Sequence, residues 1–162
     1  MKRVARTLAV GAAFALAAGA ASLVVGMAVS AVYAAMGLAE PVPSWLERLN
    51  AAENSPGERA RIIASVAGGA LLLAPLAEEA LFRGLLQGWL MRRMRIAWAV
   101  ALTALLFAAA HGSVYSFAPL VAVSVCFSMA RIKGGGLAAP IVAHALYNAA
   151  ALAAALASRV AH

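Results

Sequence analysis

The chain has 162 residues, 65% of them hydrophobic and 12% charged, with a formal net charge of +7. Soluble domains carry about a quarter charged residues, so this composition excludes an ordinary soluble fold and makes the lipid bilayer the expected solvent. The thirteen Lys and Arg interrupt apolar runs rather than coat a surface, which argues for membrane topology and against a nucleic-acid partner.

Residues 7–39 carry no charge. As a helix they would extend about 50 Å, more than the roughly 30 Å of a bilayer core, so part must project or tilt. Lys2, Arg3 and Arg6 ahead of the run, and Ala-Val-Tyr-Ala at 31–34, have the look of a cleavable secretory signal. The run is longer than a signal core, and a retained amino-terminal transmembrane helix over 1–39 is expected. Residues 40–61 form a polar loop containing Pro41, Pro43 and Pro56 and the four glutamates Glu40, Glu47, Glu53 and Glu58, with Trp45 placed at the interface and a short amphipathic helix around 44–53.

A second apolar segment runs from Ile62 to about Trp89 and ends at Arg92, Arg93 and Arg95, and a third from Ile96 to His111. The fourth covers roughly Ser116 to Ala130, followed by Arg131, Lys133 and the turn Gly134-Gly135-Gly136; the fifth covers 137–158 and stops at Arg159. These runs are too long, and too little alternating, for barrel strands. The expected fold is an all-α polytopic bundle of about five transmembrane helices, with a four-helix core over 62–158 carrying the chemistry. The positive-inside rule places the amino terminus, the 92–95 cluster and the 131–133 turn in the cytoplasm and the 40–61 loop outside. The lone Cys126 reads as a small packing residue, Trp89 and Trp98 as interface anchors with Tyr33 as another, and His162 carries no assignment.

Five ionisable groups lie inside the apolar segments: Glu78, Glu79, Arg83, His111 and His144. Each costs about 2.5–3.5 kcal/mol on insertion scales, so each calls for a partner or a purpose. Glu79 and Arg83, four apart with the acid first, can neutralise one another. Glu78, rotated about 100° away, has no such neighbour. Pro75 is expected to free the Leu71 carbonyl and loosen the helix there. His144 and Asn148 are also four apart and share a helix face. Counting from the basic flanks at 1.5 Å per residue puts Glu78 about 21 Å deep, His111 about 24 Å, His144 about 16 Å and Asn148 about 22 Å. Three helices thus deliver these groups to one slab of the membrane.

That set can activate water. Glu78 can act as general base, His111 can share or hold the water, and His144 and Asn148 can donate to the oxyanion of a hydrolysed peptide bond. Glu78, His111 and His144 could instead bind zinc with an open position for water. Tyr147 reads as space-filling, or as a hydrogen-bond donor to substrate.

The motifs E-E-x-x-x-R at 78–83, F-x-x-x-H at 107–111 and H-x-x-x-N at 144–148, with Phe82-Arg83-Gly84 and the triple glycine, resemble the CPBP family of intramembrane proteases. That family includes type II CAAX prenyl endopeptidases and bacterial bacteriocin-processing or immunity proteins. The resemblance covers about 62–158 and implies Glu78 as catalytic carboxylate with His111, His144 and Asn148 as partners, supported by Glu79 and Arg83. It also implies a protein or peptide substrate in the membrane (prenylated, bearing a sorting tail, or a precursor) and leaves zinc against a metal-free glutamic mechanism open. The chain is short for the family, with one helix ahead of the core, which is similar to the myxosortase branch. A non-catalytic immunity or assembly protein on the same scaffold, and a proton-coupled carrier using the buried Glu and His, are the competing readings.

Overall fold

The computed structural model describes residues 2–51 and 55–158; Glu53, Arg159 and His162 lie outside the described residues. Among the described residues six helices follow one another: α1 (Lys2–Ala35), α2 (Ser44–Asn50), α3 (Pro56–Leu90), α4 (Ile96–Ala110), α5 (Val114–Gly134) and α6 (Ala138–Ala157). Four of these, α1, α3, α5 and α6, are long and apolar enough to cross a membrane; α4, the third of the five expected crossings, has 15 residues and is shorter than a full span.

The second apolar segment becomes helical at Pro56, six residues before Ile62, and the reason is local. Ser55 Oγ accepts from the Glu58 amide at 3.2 Å, Pro56 occupies the first turn, and Glu58 places negative charge at the positive end of the helix. Helix α3 then runs 35 residues, about 52 Å, and contains two wide π-helical stretches, Gly69–Leu73 and Glu79–Leu86. Its polarity is inverted relative to a soluble helix. Leu73 and Leu85, each 70% exposed, face outward, whereas Glu79, Arg83 and Gln87 are fully buried. An apolar exterior around a charged interior is the arrangement a lipid solvent selects.

Helix α1 lies against α5 and α6. Ala18 joins Val123, Phe127, Ala130 and Ala143 in the buried core, with Cys126 and Tyr147 packed on its edge. Closest approach is at Gly11, where a Cβ would stand 2.7 Å from Val142 Cγ1 and 3.1 Å from the Ala139 carbonyl. At the triple glycine, Gly134 ends α5 against the Ala139 side chain, and Gly135 caps the helix in the left-handed region with its amide bonded to Arg131 O at 3.0 Å. Beyond α1 the chain is hooked back: the Ser30 and Tyr115 hydroxyls bond each other at 2.8 Å and hold the Glu40 carboxylate, which keeps that carboxylate below its ordinary range. Tyr33 stands edge-on to Tyr115, so it packs against α5.

Two outcomes follow from this packing. Gly11→Leu should lower stability in detergent by about 1–3 kcal/mol through overpacking, whereas Gly19→Leu, where a Cβ meets nothing within 4 Å, should leave the melting temperature nearly unchanged. Because the Glu40 value is depressed on folding, its contribution is present above the ordinary carboxylate range and is lost as pH falls through the lowered value. Thermal melts across that range should therefore show the wild type losing more stability in acid than Glu40→Gln; parallel curves would refute the link.

Candidate functional site

The inward face of α3 carries Glu79, Arg83 and Gln87 at four-residue steps. Arg83 Nη1 donates to Glu79 Oε1 at 3.0 Å, the ion pair expected from their spacing, with both side chains fully buried. Its Nη2 reaches across to α5 and donates to Ser124 Oγ at 2.6 Å and to the Ser124 carbonyl at 3.0 Å. The guanidinium lies 4.6 Å from the Phe107 ring centroid and 5.4 Å from that of Phe127, so aromatic faces replace the water it has lost. One turn on, Gln87 Nε2 points to the Ser128 carbonyl at 3.5 Å, repeating the register of Arg83 with Ser124. Glu79 Oε1 also accepts from His144 Nδ1 at 2.9 Å, and His144 stacks on Phe127 with ring centroids 4.8 Å apart. A single carboxylate oxygen thus ties α3 to α6.

Glu78 turns to a different set of partners. Its Oε2 is 3.8 Å from His111 Nε2 and 4.0 Å from His144 Nε2, and that oxygen is buried with no hydrogen-bond partner. His111 is held by its own helix. The amides of His111 and Gly112 fold back to Ala108 and Ala109 in a tightened last turn, and His111 Nδ1 donates to the Phe107 carbonyl at 2.8 Å. Gly112, at φ +66°, then reverses the chain into α5. Both imidazoles therefore spend Nδ1–H on a fixed acceptor. As neutral rings they turn bare Nε2 lone pairs toward the carboxylate.

Three acceptors facing one another need a shared donor. The gaps are too long for direct hydrogen bonds and short enough for one water to bridge. Exposure grades across the group, from 34% at His111 and 28% at Glu78 to 6% at His144, so the pocket is open on the His111 side. For zinc the match is poorer. Tetrahedral ligands at about 2.0–2.1 Å would stand roughly 3.4 Å apart, closer than either Glu78 gap. Among the described residues no group of three His, Cys, Asp or Glu side chains is arranged to hold a metal ion.

Asn148 makes its hydrogen bond elsewhere. Its Nδ2 donates to the Ala70 carbonyl at 2.8 Å, inside the first π-helical stretch of α3. The carbonyl expected to be freed by Pro75 was that of Leu71, four residues back, but the wide turn moves the vacancy by one. The Ala74 amide bonds to Gly69 O, so the next amide in that register belongs to Pro75, which has no N–H. Ala70 O loses both backbone donors and Asn148 supplies one. The sequence reading thus brings Glu78, His111 and His144 together as expected and leaves Asn148 bonded to α3. It missed Ser124, Ser128 and Gln87; the signals were two serines four apart in an apolar run and a glutamine one turn after Arg83.

Asn148→Leu should cost about 1–3 kcal/mol by leaving the Ala70 carbonyl unpaired within a membrane helix. In a Pro75→Ala background, where a backbone donor is restored, the same change should cost clearly less. A double-mutant cycle on unfolding midpoints measures the coupling, and additive effects would show that Asn148 does not serve this carbonyl.

Residues 60–150, more than half of the chain, match the family model described as type II CAAX prenyl endopeptidase Rce1-like. An Escherichia coli protein described as an uncharacterized 24.3 kDa protein is 41% identical over 80 residues, covering 45% of this chain; the chain spans 36% of that relative's length. No solved structure matches. The matched segment contains Glu78, Glu79, Arg83, His111, His144 and Asn148. With its apolar helices and buried polar centre, the chain is a membrane protein belonging to the Rce1-like type II CAAX prenyl endopeptidase family, within the CPBP intramembrane proteases.

Proposed function

We propose that this protein is an intramembrane endopeptidase that hydrolyses a peptide bond of a membrane-associated substrate with a water molecule activated at Glu78. The observation that carries the reading is the convergence of Glu78 Oε2, His111 Nε2 and His144 Nε2 within 4.0 Å of the carboxylate oxygen, with no protein donor between them. A water there donates one proton to Glu78 and the other to His111. As its oxygen attacks the scissile carbonyl carbon, Glu78 takes the first proton and later delivers it to the leaving amine. His144 lies beside that water, its ring held by the bond from Nδ1–H to Glu79, and steadies the position from which the oxygen attacks. Glu79 with Arg83 positions the ring, and Asn148 holds the helix that presents Glu78.

Supporting the cytoplasmic orientation of the amino terminus, Arg6 Nη2 reaches the Lys133 carbonyl at 3.4 Å, so two of the three basic clusters share one end of the bundle. The substrate is read as a chain tethered in the bilayer, with the prenylated, sorting-tail and precursor classes all meeting that description.

Glu78→Gln keeps the volume and removes the base. In proteoliposomes assayed against candidate membrane-tethered peptides it should lower cleavage by a factor of about 10² or more while the thermal unfolding profile is retained. Full activity in that variant would sink the proposed mechanism.

A further inference from the structure

Beside His111 lies a cavity of about 400 Å³ walled by three helices. Helix α1 contributes Ser22 and Gly26, α5 contributes Ser116 and Leu120, and α6 contributes Tyr147. Ser22 Oγ and Tyr147 OH bond each other at 3.0 Å on its wall. The packing of α1 explains why space remains there. Its first half is pressed against α6 at Gly11 and is fully buried at Ala18, whereas at Gly26 a Cβ would meet nothing within 4 Å. The cavity borders the most exposed of the three converging groups.

We infer that this cavity is the subsite that receives the substrate chain on one side of the scissile bond, and that Gly26 and Leu120 set which side chains it admits. The inference rests on the endopeptidase reading above. Its lining suits an extended peptide better than a lipid tail. Hydroxyls donate and accept, so Ser22, Ser116 and Tyr147 can serve both the N–H and C=O groups of an unpaired strand, whereas an acyl chain would bury those hydroxyls without return. Gly26 and Leu120 leave the apolar room for a side chain, and the volume falls within the roughly 300–1,000 Å³ of ligand pockets. Ser22 and Gly26 lie outside residues 60–150, so one wall of the subsite comes from a helix beyond the matched family segment.

The test uses a randomised library of membrane-tethered, quenched fluorescent peptides presented to the full chain in proteoliposomes, with cleaved bonds identified by mass spectrometry. Gly26→Leu should fold as the wild type does and shift the preferred residues flanking the cleaved bond toward small ones, with bulky-residue peptides cut at least tenfold more slowly. Leu120→Ala should move the preference the other way, toward bulkier residues. Gly19→Leu, in open space on the same helix, should keep the wild-type profile. A wild type that cleaves while Gly26→Leu and Leu120→Ala retain its residue preference would overturn the subsite and leave the endopeptidase standing. A folded wild type that cleaves no peptide of the library would overturn both.

Discussion

A carboxylate and a guanidinium that never meet water organise the centre of this bundle. Glu79 and Arg83 are fully buried in a protein whose exterior is apolar, so neither charge has a solvent to return to. A buried ion pair is a poor source of net stability, because desolvation offsets most of the attraction. What it supplies here is geometry. Separating the partners would strand a charge in low dielectric, so each partner's remaining hydrogen bonds are constrained too: Arg83 to Ser124 on α5, and Glu79 to His144 on α6. Three helices are held at one point, and Glu78, one residue away and facing elsewhere, is the carboxylate whose Oε2 is left without a hydrogen-bond partner.

The same economy of hydrogen bonds accounts for the motif spacings. A membrane helix cannot leave a carbonyl unpaired against lipid, and two of the local departures from regular helix among the described residues show how the requirement is met. Where α4 tightens at its end, the Phe107 carbonyl takes its donor from the His111 ring, four residues on, which fixes the tautomer that aims Nε2 at Glu78. Where α3 widens before Pro75, the Ala70 carbonyl takes its donor from Asn148, which sits four residues after His144 on the neighbouring helix. In both places an irregularity of the backbone is satisfied by the residue that closes a motif. F-x-x-x-H is in this sense partly a capping motif, and the π-helical stretches of α3 are what set the donor requirement near the site.

Much of this was legible in the residues. Apolar runs marked the helices, the four-residue spacing of Glu79 and Arg83 announced their ion pair, and counting along helices from the basic flanks placed Glu78, His111 and His144 at a common depth. What could not be read depended on tertiary contacts or on backbone register. Hydropathy began α3 at Ile62 because Arg59 and Arg61 are charged, yet the Ser55 cap and Pro56 start the helix earlier. The bond from His144 to Glu79 required knowing which face α6 turns to α3. The vacancy at Ala70 rather than Leu71 required knowing that the helix widens by one residue, a shift for which the local sequence gives no rule. Ser124 and Ser128 were visible as polar residues in an apolar run, but their partners lie 41 positions upstream.

The placement of α1 separates two tasks along the chain. The residues proposed to hold the water and move its proton all lie within the matched segment, on α3, α4 and α6, and the two imidazoles among them are held by bonds to the Phe107 carbonyl and to Glu79. Helix α1 meets that core through apolar contacts such as Ala18 and Phe14 and a few hydroxyls, and it leaves open space next to His111. Changes in such a wall carry little desolvation cost, because no buried charge depends on it. A fixed reactive centre beside an adjustable helix would let members of one family keep the chemistry while the neighbouring element sets what reaches it.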